Sequence, residues 1–251
     1  MAVSRKFLAL NDPDPKNMTV IEHLEEVRKR LFVIVIVTTV AAIGGLFFYD
    51  PVLSILLHPL KGLHNLGFGD RLVVSTITGS LFLRIKLALI PAAVVCMPVW
   101  LYEMWMFVAP AFEIETRKYV VPFVIIGMVL FLIGASVGYL LFPRYFGFMI
   151  GIGGKNVVVL PDANNVLNQF AVLLLLFGAV FELPVVLVLL SKVGIVSSAF
   201  LRRRRKIMVF IALFSGMIIT PGADPITPLI VSVLLIFLYE ISIVVIRLGH
   251  R

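Results

Sequence analysis

Glu182 is the only charged residue among the 25 from Val166 to Leu190, inside the stretch AVFELPVV (179–186). A carboxylate in hydrocarbon costs several kcal/mol unless it faces protein or water, so its position points to a polar use. Two residues on, Pro184 has no N–H to offer the carbonyl of Val180, which predicts a kinked helix and a bare acceptor beside the acid. Such a notch suits proton or ion carriage, or the docking of a helix or peptide that brings a polar group; a structural hydrogen bond between helices is the plainer alternative. Glu240, in the last apolar segment, reads as a snorkelling or helix-packing acid.

Two further clusters lie next to apolar runs. The stretch YEMWMFVAPAFEIETRK (102–118) sets Glu103, Glu113 and Glu115 among aromatic and methionine side chains. Carboxylates beside apolar surface suit a ligand that is cationic at one end and hydrophobic at the other. Aromatic residues also gather at membrane interfaces for their own sake, so an aromatic belt with a loop is the plainer alternative. Upstream, TVIEHLEEVRKRL (19–31) has the capping-box spacing of Thr19 and Glu22. Glu25 with Lys29 and Glu26 with Arg30 are i,i+4 pairs in the favourable order. An amphipathic surface helix over 19–30 follows, serving as solvated anchor or docking surface.

Catalytic constellations are lacking. Asp50 and Asp70 resemble the paired acids of intramembrane aspartyl proteases, but both fall at or beyond a membrane end, where no shielded site can form. The four histidines (His23, His58, His64, His250) lie outside the apolar runs, so Ser136 has no obvious base. The single Cys96 excludes an intrachain disulfide and reads as packing. No metal, cofactor or enzymatic activity is expected.

The elements that must position these residues follow from composition. Of 251 residues, 61% are hydrophobic and 14% charged, a balance of multi-spanning membrane proteins. The first 17 residues lack the apolar core and cleavage site of a secretory signal. Apolar segments predict spans at about 31–48, 79–108, 119–142, 166–190, 207–220 and 226–246, forming one membrane domain over 1–251. The fifth is short, about 21 Å of helix, and the turn residues TPGAD (220–224) make it a hairpin with the sixth. Pro91, Pro98 and Pro122 predict bent helices and a concave bundle.

Charge orients this bundle. Sixteen of the 22 Lys and Arg residues fall before the first span, between spans two and three, between four and five, or after six. The positive-inside rule therefore predicts cytoplasmic N- and C-termini, in a cell (cytoplasmic) membrane. The net charge of +8 reports orientation rather than nucleic-acid binding, and RRRRK (202–206) reads as an anchor near anionic headgroups.

Taken together, these residues resemble the TatC family, the multi-spanning receptor subunit of the twin-arginine protein translocase. HLEEVRKRL (23–31), MPVWLYEMWMFVAPAF (97–112), FGAVFELPVVLVLL (177–190), ITPGADP with LYEI match its motifs in order along nearly the whole chain. The resemblance implies an all-α protein of six spans that binds twin-arginine signal peptides of folded cargo. It further implies single-span TatA- and TatB-type partners, self-association in a receptor complex, and export driven by the proton-motive force. Carried over by position, Glu26 and Arg28 match the acid and base of the N-terminal helix, and Phe107 and Pro110 the signal-binding surface. Glu182 matches the family's buried acid, and Pro59 and Asp224 match external positions. This chain departs in having Thr116 where the family has an acid, Glu103 for a glutamine, and Leu234 for a proline. Glu103, Glu113 or Glu115 is then the carboxylate left to receive a guanidinium. A proton- or ion-coupled solute transporter using Glu182 is the alternative from another class.

Overall fold

Apolar runs of this length dictate helix, because a backbone in hydrocarbon must satisfy its own N–H and C=O groups. The computed structural model describes residues 20–58, 73–108, 117–152, 162–192, 194–219 and 226–249. The helices are α1 (Val20–Gly45), α2 (Tyr49–Leu57), α3 (Gly79–Val108), α4 (Arg117–Ile152), α5 (Ala163–Phe181), α6 (Leu183–Lys192), α7 (Ser198–Arg203), α8 (Arg205–Ile219) and α9 (Ile226–Gly249). Among the described residues there is no β-strand, only an isolated bridge between Val73 and Asp162.

Among the described residues, five segments are long and apolar enough to cross a membrane: Leu24–Leu57, Gly79–Phe107, Val120–Ile152, Ala163–Lys192 and Thr227–Gly249. Each contains or overlaps one predicted span. The remaining prediction, the fifth span at 207–220, falls on α8, whose 15 residues make about 22 Å of helix, short of the roughly 30 Å of hydrocarbon. The predicted surface helix and first span are continuous in α1.

The third span runs ten residues past its predicted end at Phe142, through Pro143 to Ile152. Aromatic packing holds this extension. The Phe142 ring stacks on Phe146 at 5.6 Å and meets Phe170 of α5 edge-on at 5.0 Å. Pro91, Pro98 and Pro122 likewise lie inside uninterrupted helices.

Helix α4 packs along α5, α1 along α3, and α8 along α9, with α9 also reaching α6. Small residues permit the closest of these approaches, as membrane helices with no hydrophobic drive between them require. A Cβ at Gly138 of α4 would stand 3.0 Å from the Leu173 carbonyl of α5, and one at Gly134, a turn earlier, would collide with the Phe177 carbonyl. By contrast α1 touches chiefly α3, leaving Phe32, Val35, Val40 and Ile43 exposed. In a membrane protein these face lipid.

On one rim of the bundle, Asp162 caps α5 by accepting from the amides of Asn164 (2.9 Å) and Asn165 (3.3 Å). Its other oxygen accepts from the amide (2.9 Å) and hydroxyl (2.8 Å) of Ser75, tying the entry to α3 onto α5. Foremost the Ser75 amide, then its hydroxyl, hold the Asp162 carboxyl below the ordinary carboxylate range.

Candidate functional site

Glu182 interrupts what the sequence reads as one span. Its amide turns back to the Ala179 carbonyl at 3.1 Å, an i→i−3 bond that closes α5, and its own carbonyl accepts from Val186 at 3.0 Å to open α6. Pro184 sits in the first turn of α6, where a missing N–H costs least. The expected kink is thus a break centred on the acid itself.

The side chain of Glu182 is 6% exposed, and neither carboxylate oxygen has a hydrogen-bond partner among the described residues. The carboxylate lies over Gly127 of α4: a Cβ there would meet Oε2 at 3.0 Å and the Leu101 side chain of α3 at 2.8 Å. Three helices therefore meet at the acid, and a glycine makes room for it. One turn from Leu101, the buried Nε1 of Trp105 also has no partner among the described residues, while its ring packs on Phe123 at 4.8 Å.

Beside these two unsatisfied groups lies an apolar groove of ≈ 630 Å³. Trp105, Pro122, Phe123, Phe181, Pro184 and Phe237 are among its walls, contributed by α3, α4, α5, α6 and α9. Phe181 and Pro184 flank Glu182 in sequence, so the break aims its neighbours at the groove.

A second constellation joins α1 to α3. The Arg30 guanidinium donates from Nε to Glu26 Oε1 at 3.0 Å and from Nη1 to Glu103 Oε2 at 3.1 Å, with Nη2 closing on Glu26 as well. All three side chains are mostly buried, at 14–19% exposure. Two predicted site residues, far apart in sequence, are thereby brought onto one guanidinium, and the three groups together carry one negative charge. Phe107, half-buried, lies one turn along α3 from Glu103, whereas Arg28 is exposed. The i,i+4 spacing announced Glu26 with Arg30; nothing in the sequence announced Glu103 as the third member. Pro59, Pro110, Glu113, Glu115, Thr116 and Asp224 lie outside the described residues.

Of the remaining sequence features, Glu240 pairs with Arg205 of α8 at 2.6 Å, which makes it a helix-packing acid. Cys96 is buried against α1, its thiol 3.7 Å from the Val37 carbonyl, as packing requires. Trp100 donates to Thr38 at 3.0 Å in the same α1–α3 seam.

Comparison with known proteins gives this arrangement a context. The family model for Sec-independent protein translocase protein (TatC) matches residues 22–233, a stretch that takes in Glu26, Glu103 and Glu182. The chain belongs to the TatC family. It is 34% identical to the Sec-independent protein translocase protein TatC of Desulforapulum autotrophicum over 224 residues, covering 89% of this chain and 82% of the relative. With the TatC of Escherichia coli (strain K12) it shares 31% over 237 residues, 94% of this chain and 89% of that one. A crystal structure of the twin-arginine translocase receptor TatC superposes with a TM-score of 0.76 at 30% identity, covering 92% of this chain and all of that one. The protein is therefore a multi-pass membrane component of twin-arginine protein transport, similar to its TatC relatives in sequence and in fold.

Proposed function

We propose that this chain is the receptor and scaffold of a twin-arginine translocase, spanning the cytoplasmic membrane six times with both termini in the cytoplasm. In this reading α8, although short, is the fifth span, thinning the bilayer locally as half of a hairpin with α9. The rim where Glu26 and Glu103 meet binds the arginine pair of a signal peptide, and Phe107, with Pro110, Glu113 and Glu115 beyond it, extends that surface. The peptide's apolar stretch lies along the groove. Glu182 and Pro184 receive a polar group from the peptide or from a TatA- or TatB-type single-span partner, and Pro59 and Asp224 belong to the opposite face. The receptor acts as an assembly of copies, and the proton-motive force drives export of the folded cargo.

The observation that carries this reading is the pair of carboxylates from separate helices on one guanidinium. A site with two acids and one base keeps a negative charge and the planar acceptor geometry that arginine, and not lysine, exploits. In a protein-translocase family, the unpartnered acid above Gly127 is better used in docking a helix than in carrying a solute. A photo-crosslinking residue at position 106, one turn along α3 from an intact Glu103, is expected to capture a twin-arginine precursor and to capture its twin-lysine version at least about tenfold less, a difference of roughly 1.4 kcal/mol. Equal capture of both would overturn guanidinium recognition here.

A further inference from the structure

At the end of the bundle where α7, α8 and α9 meet, Arg202, Arg205 and Arg247 converge on a hollow of ≈ 400 Å³ whose remaining walls are Ile243, Val244 and Leu248. One arginine from each of three helices lines this space. Glu240 engages Arg205, and neither Arg202 nor Arg247 pairs with a carboxylate among the described residues. Three positive charges against one negative leave an excess of two. Arg204 does not contribute; its guanidinium lies 5.7 Å over the Phe200 ring. Arg203 and Lys206 are absent from the hollow's lining.

We propose that this hollow is a binding site for an anionic glycerophospholipid, the phosphodiester held by Arg202 and Arg247 with Arg205 fixed beside them. Guanidinium forks match phosphate oxygens in geometry as well as charge, and basic hollows between membrane helices at the interface suit such headgroups. The apolar wall selects a lipid over a soluble phosphate. From the headgroup, exposed Val244 and Leu248 continue into Ile241 and Phe237 along α9, an apolar track for an acyl chain. A bound lipid would bridge α7 to α9 and so brace the α8–α9 hairpin. The proposal rests on the chain being a membrane protein; its three arginines lie outside the groove proposed for a signal peptide, whereas Phe237 and Ile241 line that groove as well, so only the far end of the acyl track is shared.

The test uses the purified full-length chain in detergent, with retention of added phosphatidylglycerol, cardiolipin and phosphatidylcholine followed by native mass spectrometry. Two double variants, R202Q/R247Q and R203Q/R204Q, remove the same charge from the same end of the molecule. The expected result is that R202Q/R247Q weakens retention of the two anionic lipids by roughly twentyfold, that R203Q/R204Q leaves it near the wild-type level, and that phosphatidylcholine is poorly held throughout. Equal losses in the two doubles would reduce the site to diffuse surface charge and overturn the proposal. So would phosphatidylcholine held as well as phosphatidylglycerol, or glycerol phosphate competing as strongly as the lipid. A photoactivatable phosphatidylglycerol on the wild-type chain tests the place without mutation: adducts are expected within 243–248, and adducts confined to other segments overturn it.

Discussion

A guanidinium shared by two carboxylates at under one-fifth exposure is a stronger tie than a surface ion pair, because less water competes for its hydrogen bonds. Glu182 is the opposite case, a buried acid with no donor, and burial without compensation costs folding free energy. Residues kept at such a cost are those whose use lies outside the fold. Replacing the acid with a leucine of similar reach is therefore expected to raise stability in detergent by about 1 kcal/mol or more, read as a shift in the unfolding midpoint. The same Glu182→Leu change should abolish crosslinking between a photoreactive residue at position 188, in the adjacent groove, and a single-span partner, while Glu182→Gln, which keeps the polar group, retains part of it. A leucine variant less stable than the wild type would mean that the acid is a structural member of the bundle. The sequence made Glu182 visible because a lone charge in an apolar run has no competing explanation of equal weight. It could not make Gly127 or Trp105 visible, since a glycine and a tryptophan in a membrane helix satisfy composition whatever they touch.

Elements were legible where one physical requirement dominates. Twenty apolar residues must be helix, and the spans followed. Boundaries failed where tertiary packing overrode the local signal, as at Pro143, a residue that ends helices in water and here is carried through by the Phe142–Phe146–Phe170 contacts. Packing distance was equally hidden, although it is where elements are most easily tested. Gly134→Ala forces a methyl group against the Phe177 carbonyl and is expected to cost about 2 kcal/mol. Gly44→Ala, on the open face of α1 with nothing within 4 Å, should be neutral or slightly stabilising by helix propensity. Paired denaturation curves in one detergent check both, and similar losses at the two positions would refute the α4–α5 contact. The Asp162 tie has a pH signature of its own. Its folded pKa lies below the ordinary value of 3.8, so its contribution is present above that value and is lost as pH falls through the folded pKa. The gap between the melting midpoints of the wild type and Asp162→Asn should be flat from about pH 8 to 5 and close only below about pH 4. A gap that closes near neutrality would assign the effect to another group.

At the scale of the whole molecule, one global inequality speaks to topology: sixteen of the 22 basic residues lie in alternate connections, which the positive-inside rule predicts on the cytoplasmic side. Among the described residues, five segments meet the length that crossing needs, and α8 does not. The side on which α9 begins therefore depends on whether a 15-residue helix completes a crossing. Impermeant thiol labelling of single-cysteine variants in intact cells decides it, on a Cys96→Ala background, since that thiol is buried in the α1–α3 seam. Ile77→Cys, 99% exposed between α2 and α3, is expected to label from outside. Glu25→Cys at the start of α1 and Arg203→Cys at the end of α7 should label only after the membrane is permeabilised. Leu248→Cys, at the far end of α9, carries the decision. Protection equal to that of position 203 means that α8 and α9 together return the chain to the cytoplasm, whereas labelling from outside would leave five crossings, with α8 re-entrant and the basic end of α9 on the wrong side of the charge rule.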